Sequence, residues 1–262
     1  MNGDATYQDL VVERDEGIVW ITINRPEAGN QFRFETTLEL ATELRRFRDS
    51  REDRVAVITG AGDRFFCLGG EKADIETFDH SAVLPIVDVY ELIDSVPKPV
   101  IAMVNGYAVG GGQVLQVVCD LTVASDKAVF RQVGPIVGSF DAGYGTWILE
   151  DCIGRKRAKE VWYLNRKYDA RQALDMGLIN EIVPHEDLRA QTREIAVELM
   201  ARGPQALAAL KAAFSARNTG VVGQARLAHD QLLTRYLNSH EASELSQAFS
   251  EKRPADQTHF DR

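Results

Sequence analysis

Residues 98–125 read KPVIAMVNGYAVGGGQVLQVVCDLTVAS. KPVIAMV is apolar and β-branched and predicts a strand, NGYAVGGG leads into Gly110, Gly111 and Gly112, GQVLQVVC has helical spacing, and DLTVAS is again strand-like. A strand that runs through a helix into another strand needs a crossover connection. The expectation is a parallel sheet, which places the chain in the α/β class.

The same alternation precedes this stretch. GIVWITIN predicts a strand, NRPEAGN a turn, ETTLELATELRRFRDS a helix, RVAVITG a strand ended by Gly60, and the residues around VYELID a helix. Beyond residue 150, RKRAKEVWYLN, DARQALDMG, EDLRAQTREIAVELMA and PQALAALKAAFSA are all helical in period, and only LINEIVP is strand-like. No low-complexity linker divides the two parts. A chain of 262 residues, 45% hydrophobic and 26% charged, fits one large domain with a helical appendage.

Composition narrows the partners. A net charge of −9 argues against nucleic acid, while a local basic pocket could still take an anion. Cys67, Cys119 and Cys152 are few, odd in number and without ligand spacing, and the five histidines are scattered, so no metal site is expected. Free thiols suit a reducing cytoplasm. The first residues lack a basic segment followed by an apolar run, and no stretch reaches the roughly 18 apolar residues of a membrane span. A soluble cytoplasmic protein is the expectation.

Three segments carry candidate chemistry. GAGDRFFCLGGEK runs from a strand end into Gly69 and Gly70, and NGYAVGGGQ runs from another into Gly110–Gly112 directly before a helix. Glycine permits close backbone approach, and amides at a helix start carry partial positive charge. Two such turns could aim two N–H groups at one developing oxyanion, or could serve only as tight turns. The G-x-G-x-x-G spacing of dinucleotide sites is missing. The third segment, VGPIVGSFDAGYG, holds Asp141 among small and apolar residues, where its charge needs a partner or a use.

Taken together, NRPEAGNQF, ITGAGDRFFCLGG, KPVIAMVNGYAVGGGQVLQVVCDLTVASDKAVF and ALDMGLINEIVP, in this order across residues 10–260, resemble the crotonase (enoyl-CoA hydratase/isomerase) superfamily. The resemblance implies a crotonase-like fold of repeated ββα units over residues 1–200 and a helical trimerisation region over 201–262. It implies a homotrimer or homohexamer acting on an acyl-CoA thioester, with CoA as part of the substrate and no tightly bound cofactor. The amides of Gly70 and Gly111 would form the oxyanion hole. Arg33, Gly69, Lys72 and Lys252 match positions that meet the CoA moiety.

Hydratases of this superfamily use two glutamates. Their positions hold Val114 and, in Arg131–Gln132–Val133–Gly134, a glycine. Without a carboxylate pair, hydration is disfavoured. QVGPIVGSFDAGYG and the residues after it resemble instead the branch of 1,4-dihydroxy-2-naphthoyl-CoA synthase and 2-ketocyclohexanecarboxyl-CoA hydrolase. That likeness implies that Ser139 and Asp141 face the acyl group and that Tyr236 reaches a neighbouring subunit's site. Asp141 could otherwise be a turn-former. A bicarbonate site at Gln132, Gly134 and Trp162 is also implied, with Val133 where that site has threonine. The branch's loop tyrosine falls near Phe78, and Glu71 stands where aspartate is usual. These departures favour hydrolytic ring opening of a cyclic β-oxoacyl-CoA over naphthoate-type ring closure. A non-catalytic CoA-binding scaffold is the third reading.

Overall fold

The computed structural model describes residues 7–72, 85–216, 233–256 and 258; Phe78 lies outside them. One sheet has six strands, β1 (Leu10–Asp15), β2 (Ile18–Ile23), β3 (Val55–Gly60), β5 (Val100–Val104), β7 (Leu121–Ser125) and β10 (Glu181–Val183), in that spatial order. The other has β4 (Phe65–Cys67), β6 (Tyr107–Val109), β8 (Val129–Arg131) and β9 (Tyr168–Asp169). Among the described residues, only β1–β2 and β8–β9 pair antiparallel.

The repeat is visible in how the chain divides its strands. β3, β5 and β7 each enter the large sheet, and a few residues later β4, β6 and β8 enter the small one. Because β4, β6 and β8 are parallel neighbours, their carboxyl ends emerge side by side. The segments that follow are Gly69–Gly70, Gly110–Gly112 and Gln132–Asp141, so pairing alone gathers three segments that are remote in sequence. Carboxyl ends of parallel strands are where ligands commonly bind.

The strands β2, β3, β5 and β7 of the large sheet are buried on both faces, as parallel strands are. Ile18, Trp20, Val55, Val57, Ile101 and Met103 point to one side, where Leu188 and Ala196 of the helix Leu188–Met200 cover them. The alternate residues Val19, Ile21, Ile23, Ala56, Ile58 and Ala102 point to the other, into the core shared with the helix α1 (Phe34–Asp49). This helix also buries two carboxylates. Glu39 accepts from the Gln8 and Asp9 amides at 2.6 and 2.9 Å, and Glu43 from the Tyr7 hydroxyl at 2.6 Å, which ties the chain start to the core.

The strands read from sequence are present as expected, and so are the helices α2 (Pro85–Ser95) and α3 (Gly111–Val118). The late segments form helices too, among them Arg155–Leu164 and Pro204–Ala216. The hairpin β1–β2 was not legible. It turns on Glu16 and Gly17, both at positive φ (47° and 89°), the geometry of a two-residue hairpin turn. The strands β4, β6, β8 and β9 have three residues or fewer, too few for a period to show.

Candidate active site

The two glycine turns touch. A Cβ on Gly69 would lie 2.8 Å from the Gly111 nitrogen, and one on Gly111 would lie 3.4 Å from the Gly69 Cα. Gly69 has φ +90° and Gly110 has φ +57° with ψ −124°, backbone that side chains resist. Gly70 forms a parallel bridge to Phe32, in which Phe32 N–H donates to Gly69 O and Glu71 N–H donates to Phe32 O, both at 2.9 Å. That geometry turns the Gly70 N–H away from the bridge. Gly111 is the first residue of α3, where an N–H has no intrahelical acceptor. Among the described residues neither amide donates to a protein acceptor. Two neighbouring donors that the described residues leave unbonded meet the first requirement of an oxyanion hole.

The third segment lies against them. After the short helix α4 (Gly134–Val137), the chain turns at Gly138 and reaches Asp141, 8% exposed, before α5 (Tyr144–Ile153). Asp141 Oδ1 accepts from the Gly143 and Gly145 amides at 2.9 and 3.0 Å. Asp141 thereby shapes the turn into α5. These two amide donors fix the orientation of the carboxylate. A Cβ on Gly145 would meet Val114 Cγ2 at 2.8 Å and Asp141 Cβ and Cγ at 3.0 Å. The aspartate thus sits across one glycine from Val114, the position where the superfamily resemblance puts a hydratase glutamate.

Tyr90 of α2, absent from the sequence-based candidates, joins these parts. It is 1% exposed and its hydroxyl donates to Gly111 O at 3.1 Å. Burial, and then the charge of nearby Asp141, push this phenol well above its ordinary range. In sequence it is one more apolar-face residue of VYELID, with no signal to separate it from core.

Tyr236 packs its ring on Phe140 of its own chain, centroids 5.2 Å apart, and donates to Glu241 at 3.0 Å. Burial, followed by the Glu241 carboxylate, raises its pKa. Through Phe140, Tyr236 lies beside the Ser139–Asp141 turn of its own chain. Ser139 is half-buried, and its amide donates to Gly134 O at 2.8 Å.

The donors expected at the anion site have protein partners here. The Trp162 indole N–H, the one donor of that side chain, is engaged by Gly145 O at 2.8 Å, and a Gln132 amide N–H reaches Gly110 O at 3.3 Å. The space at Gly134 is filled by backbone: a Cβ there would lie 2.6 Å from Ser139 O and 3.1 Å from Phe140 Cα. That glycine serves the fold-back of the chain.

Of the expected CoA contacts, Arg33 forms a bidentate pair with Asp9, both bonds 2.8 Å, on a carboxylate also held by Thr36. Burial opposes the charge on Asp9, but the Arg33 and Thr36 hydrogen bonds hold its pKa below the ordinary range. Lys72 donates to Ser246 O at 3.2 Å and Ser250 Oγ at 2.5 Å on the helix His240–Glu251. Lys252 is the exposed C-cap of the same helix, at φ +54°. Both ammonium groups therefore belong to one end of one helix, while Arg33 is committed to a carboxylate. Among the described residues no group of His, Cys, Asp or Glu could hold a metal, and no helix is long and apolar enough to cross a membrane.

The family model for enoyl-CoA hydratase/isomerase matches residues 13–259. The chain belongs to this family. Within the crotonase fold, an enoyl-CoA hydratase/isomerase of Pseudoalteromonas atlantica T6c superposes with a TM-score of 0.88 at 27% identity, over 95% of this chain and 99% of its own. A carnitinyl-CoA hydratase of Mycobacterium avium gives 0.84 at 29%, over 96% and 98%. An enoyl-CoA hydratase of Bacillus anthracis gives 0.76 at 30%, over 95% and 98%. A crotonase-family enzyme working on acyl-CoA is the general function this establishes.

Proposed function

We propose that this enzyme opens the ring of a cyclic β-oxoacyl-CoA by hydrolysis, with the thioester oxygen held by the Gly70 and Gly111 amides. The observation that carries the reading is one buried carboxylate, Asp141, oriented by two amides beside this pair of donors and facing Val114 in place of a glutamate. The chain is similar to enzymes called hydratases, yet its resemblance to them leaves Val114 and Gly134 at the two acid positions.

In the proposed reaction Asp141 accepts a proton from water as the water oxygen adds to the ring ketone. The bond between that carbon and the α-carbon then breaks, and its electrons pass to the thioester as an enolate. The two amides stabilise the enolate oxygen; one such donor is worth on the order of 3 kcal/mol of barrier. Asp141 returns the proton to the α-carbon, leaving a carboxylic acid and an opened acyl-CoA. Ser139 and Tyr236 flank the ketone, and Lys72 and Lys252 meet the phosphates of CoA.

Cyclic β-oxoacyl-CoA, o-succinylbenzoyl-CoA and straight-chain enoyl-CoA, each incubated with enzyme and followed by mass spectrometry, separate the readings. Gain of water by the cyclic ester supports ring opening. Turnover of o-succinylbenzoyl-CoA alone favours ring closure, and turnover of none favours the scaffold. Asp141→Asn keeps an Oδ1 acceptor for Gly143 and Gly145, so the turn survives while the base is lost. Turnover is expected to fall at least 100-fold with ester binding nearly intact; activity within a few-fold of the parent would confine Asp141 to its turn.

Assembly as a homotrimer or homohexamer is part of the proposal. Leu210 and Phe214 are 56% and 71% exposed on the helix Pro204–Ala216, apolar surface that self-association would cover. Light scattering reads the mass directly, and a monomer at working concentration would refute it.

A further inference from the structure

We propose that Gln31 and Tyr90 are positioning residues of the oxyanion hole, each clamping the carbonyl of one donor glycine so that its N–H keeps its aim. The inference rests on the reading of Gly70 and Gly111 as donors to a thioester oxygen. It starts from a physical difficulty in that reading. Glycine has the softest backbone of any residue, yet a catalytic donor has to be held within about 0.5 Å of its productive position. Here the donors sit in Gly69–Gly70 and Gly110–Gly111–Gly112, with no Cβ to lock them by packing.

The structure supplies the same device at both. Gln31 Nε2 donates to Gly70 O at 3.2 Å, and Tyr90 Oη donates to Gly111 O at 3.1 Å. In each case the clamped carbonyl shares a Cα with the donor N–H, so fixing one plane restrains rotation of the other. Each clamp is anchored in turn. Gln31 O accepts from Arg25 Nη1 at 2.6 Å, and Arg25 Nη2 reaches Glu71, the residue after Gly70, at 2.8 Å. Tyr90 is held by burial and by the ring of Tyr144, centroids 5.7 Å apart. Its raised pKa keeps the proton that the clamp donates. Both side chains come from outside the glycine motifs, one from the turn after β2 and one from α2.

Tyr90→Phe and Gln31→Met remove the donating atoms and keep most of the volume. Four quantities are read for each variant: kcat, KM, affinity for a CoA thioether that has no carbonyl, and the carbonyl stretching frequency of a bound isotope-labelled thioester. The clamp predicts a ten- to hundredfold fall in kcat, with KM and thioether affinity within twofold of the parent. The carbonyl stretch should move back towards its solution value. Unchanged kcat and stretch, or kcat, KM and thioether affinity that deteriorate together, would overturn it in favour of a packing role. Gln31 lies on a half-exposed turn, so Gln31→Met carries the test alone should Tyr90→Phe fail to fold. If the parent's bound thioester shows no stretch shift at all, the oxyanion hole itself is refuted, a result distinct from failure of the clamp.

Discussion

Gly69 shows how much one missing atom decides. Its φ of +90° resists any side chain, and a methyl there would lie 2.8 Å from the Gly111 nitrogen, against the face of one donor. Gly69→Ala is expected to lower kcat about 10²–10³-fold, the usual consequence of losing one oxyanion donor. Steady-state kinetics on the accepted thioester, with circular dichroism to confirm folding, checks this. Asp141 is the converse case, a residue whose type was legible and whose setting was not. The sequence left open whether its charge was used or merely turned the chain. Its Oδ1 is bonded to two local amides and its side chain sits across Gly145 from Val114, so the proposed reaction asks one residue both to turn the chain and to serve as base.

Among the elements, the helix His240–Glu251 bridges the two lips of the site. Lys72, two residues beyond Gly70, is bonded to it, and Gly138, three residues before Asp141, packs against its first turn. A Cβ on Gly138 would lie 2.4 Å from Ala242 O, and the glycine has φ +78°. Gly138→Ala should therefore displace this helix. Faster amide hydrogen exchange over residues 240–251, together with reduced kcat/KM, is the expected result; protected amides at parental rates would contradict it. This link was not legible in sequence. Helical period shows that a segment has an apolar face, but the surface that receives the face is chosen by the fold.

For the whole molecule, buried acids set an alkaline limit. Cys67 is fully buried, and burial raises its thiol from 9.0 to about 12; burial raises Tyr90 as well. A pKa raised in the folded state means that the unfolded chain loses its proton first. The stabilisation is complete below pH 9 and is lost as pH rises through about 12. Asp9, held low by Arg33 and Thr36, acts oppositely: its contribution is present above its unfolded value of 3.8 and lost as pH falls further. Urea midpoints across pH should fall at both ends. A midpoint that stays flat from pH 9 to 11 would argue against a protonated, buried thiol and phenol.

The sequence alone determined the class of fold and the places where the backbone would be bare. Strand–helix alternation over 18–125 is local, and glycine runs are local, so both survive as pattern in one dimension. Tertiary structure decided which bare segments meet. Parallel pairing of β4 with β6 and β6 with β8 brings Gly70, Gly111 and Asp141 together, and those strands are too short to leave a period. It also decided what holds them. Gln31 and Tyr90 look like an ordinary turn residue and an ordinary core aromatic until the fold places their donors on two particular carbonyls. Hydrogen bonds across 21 and 39 residues depend on three-dimensional placement, and no local preference encodes that.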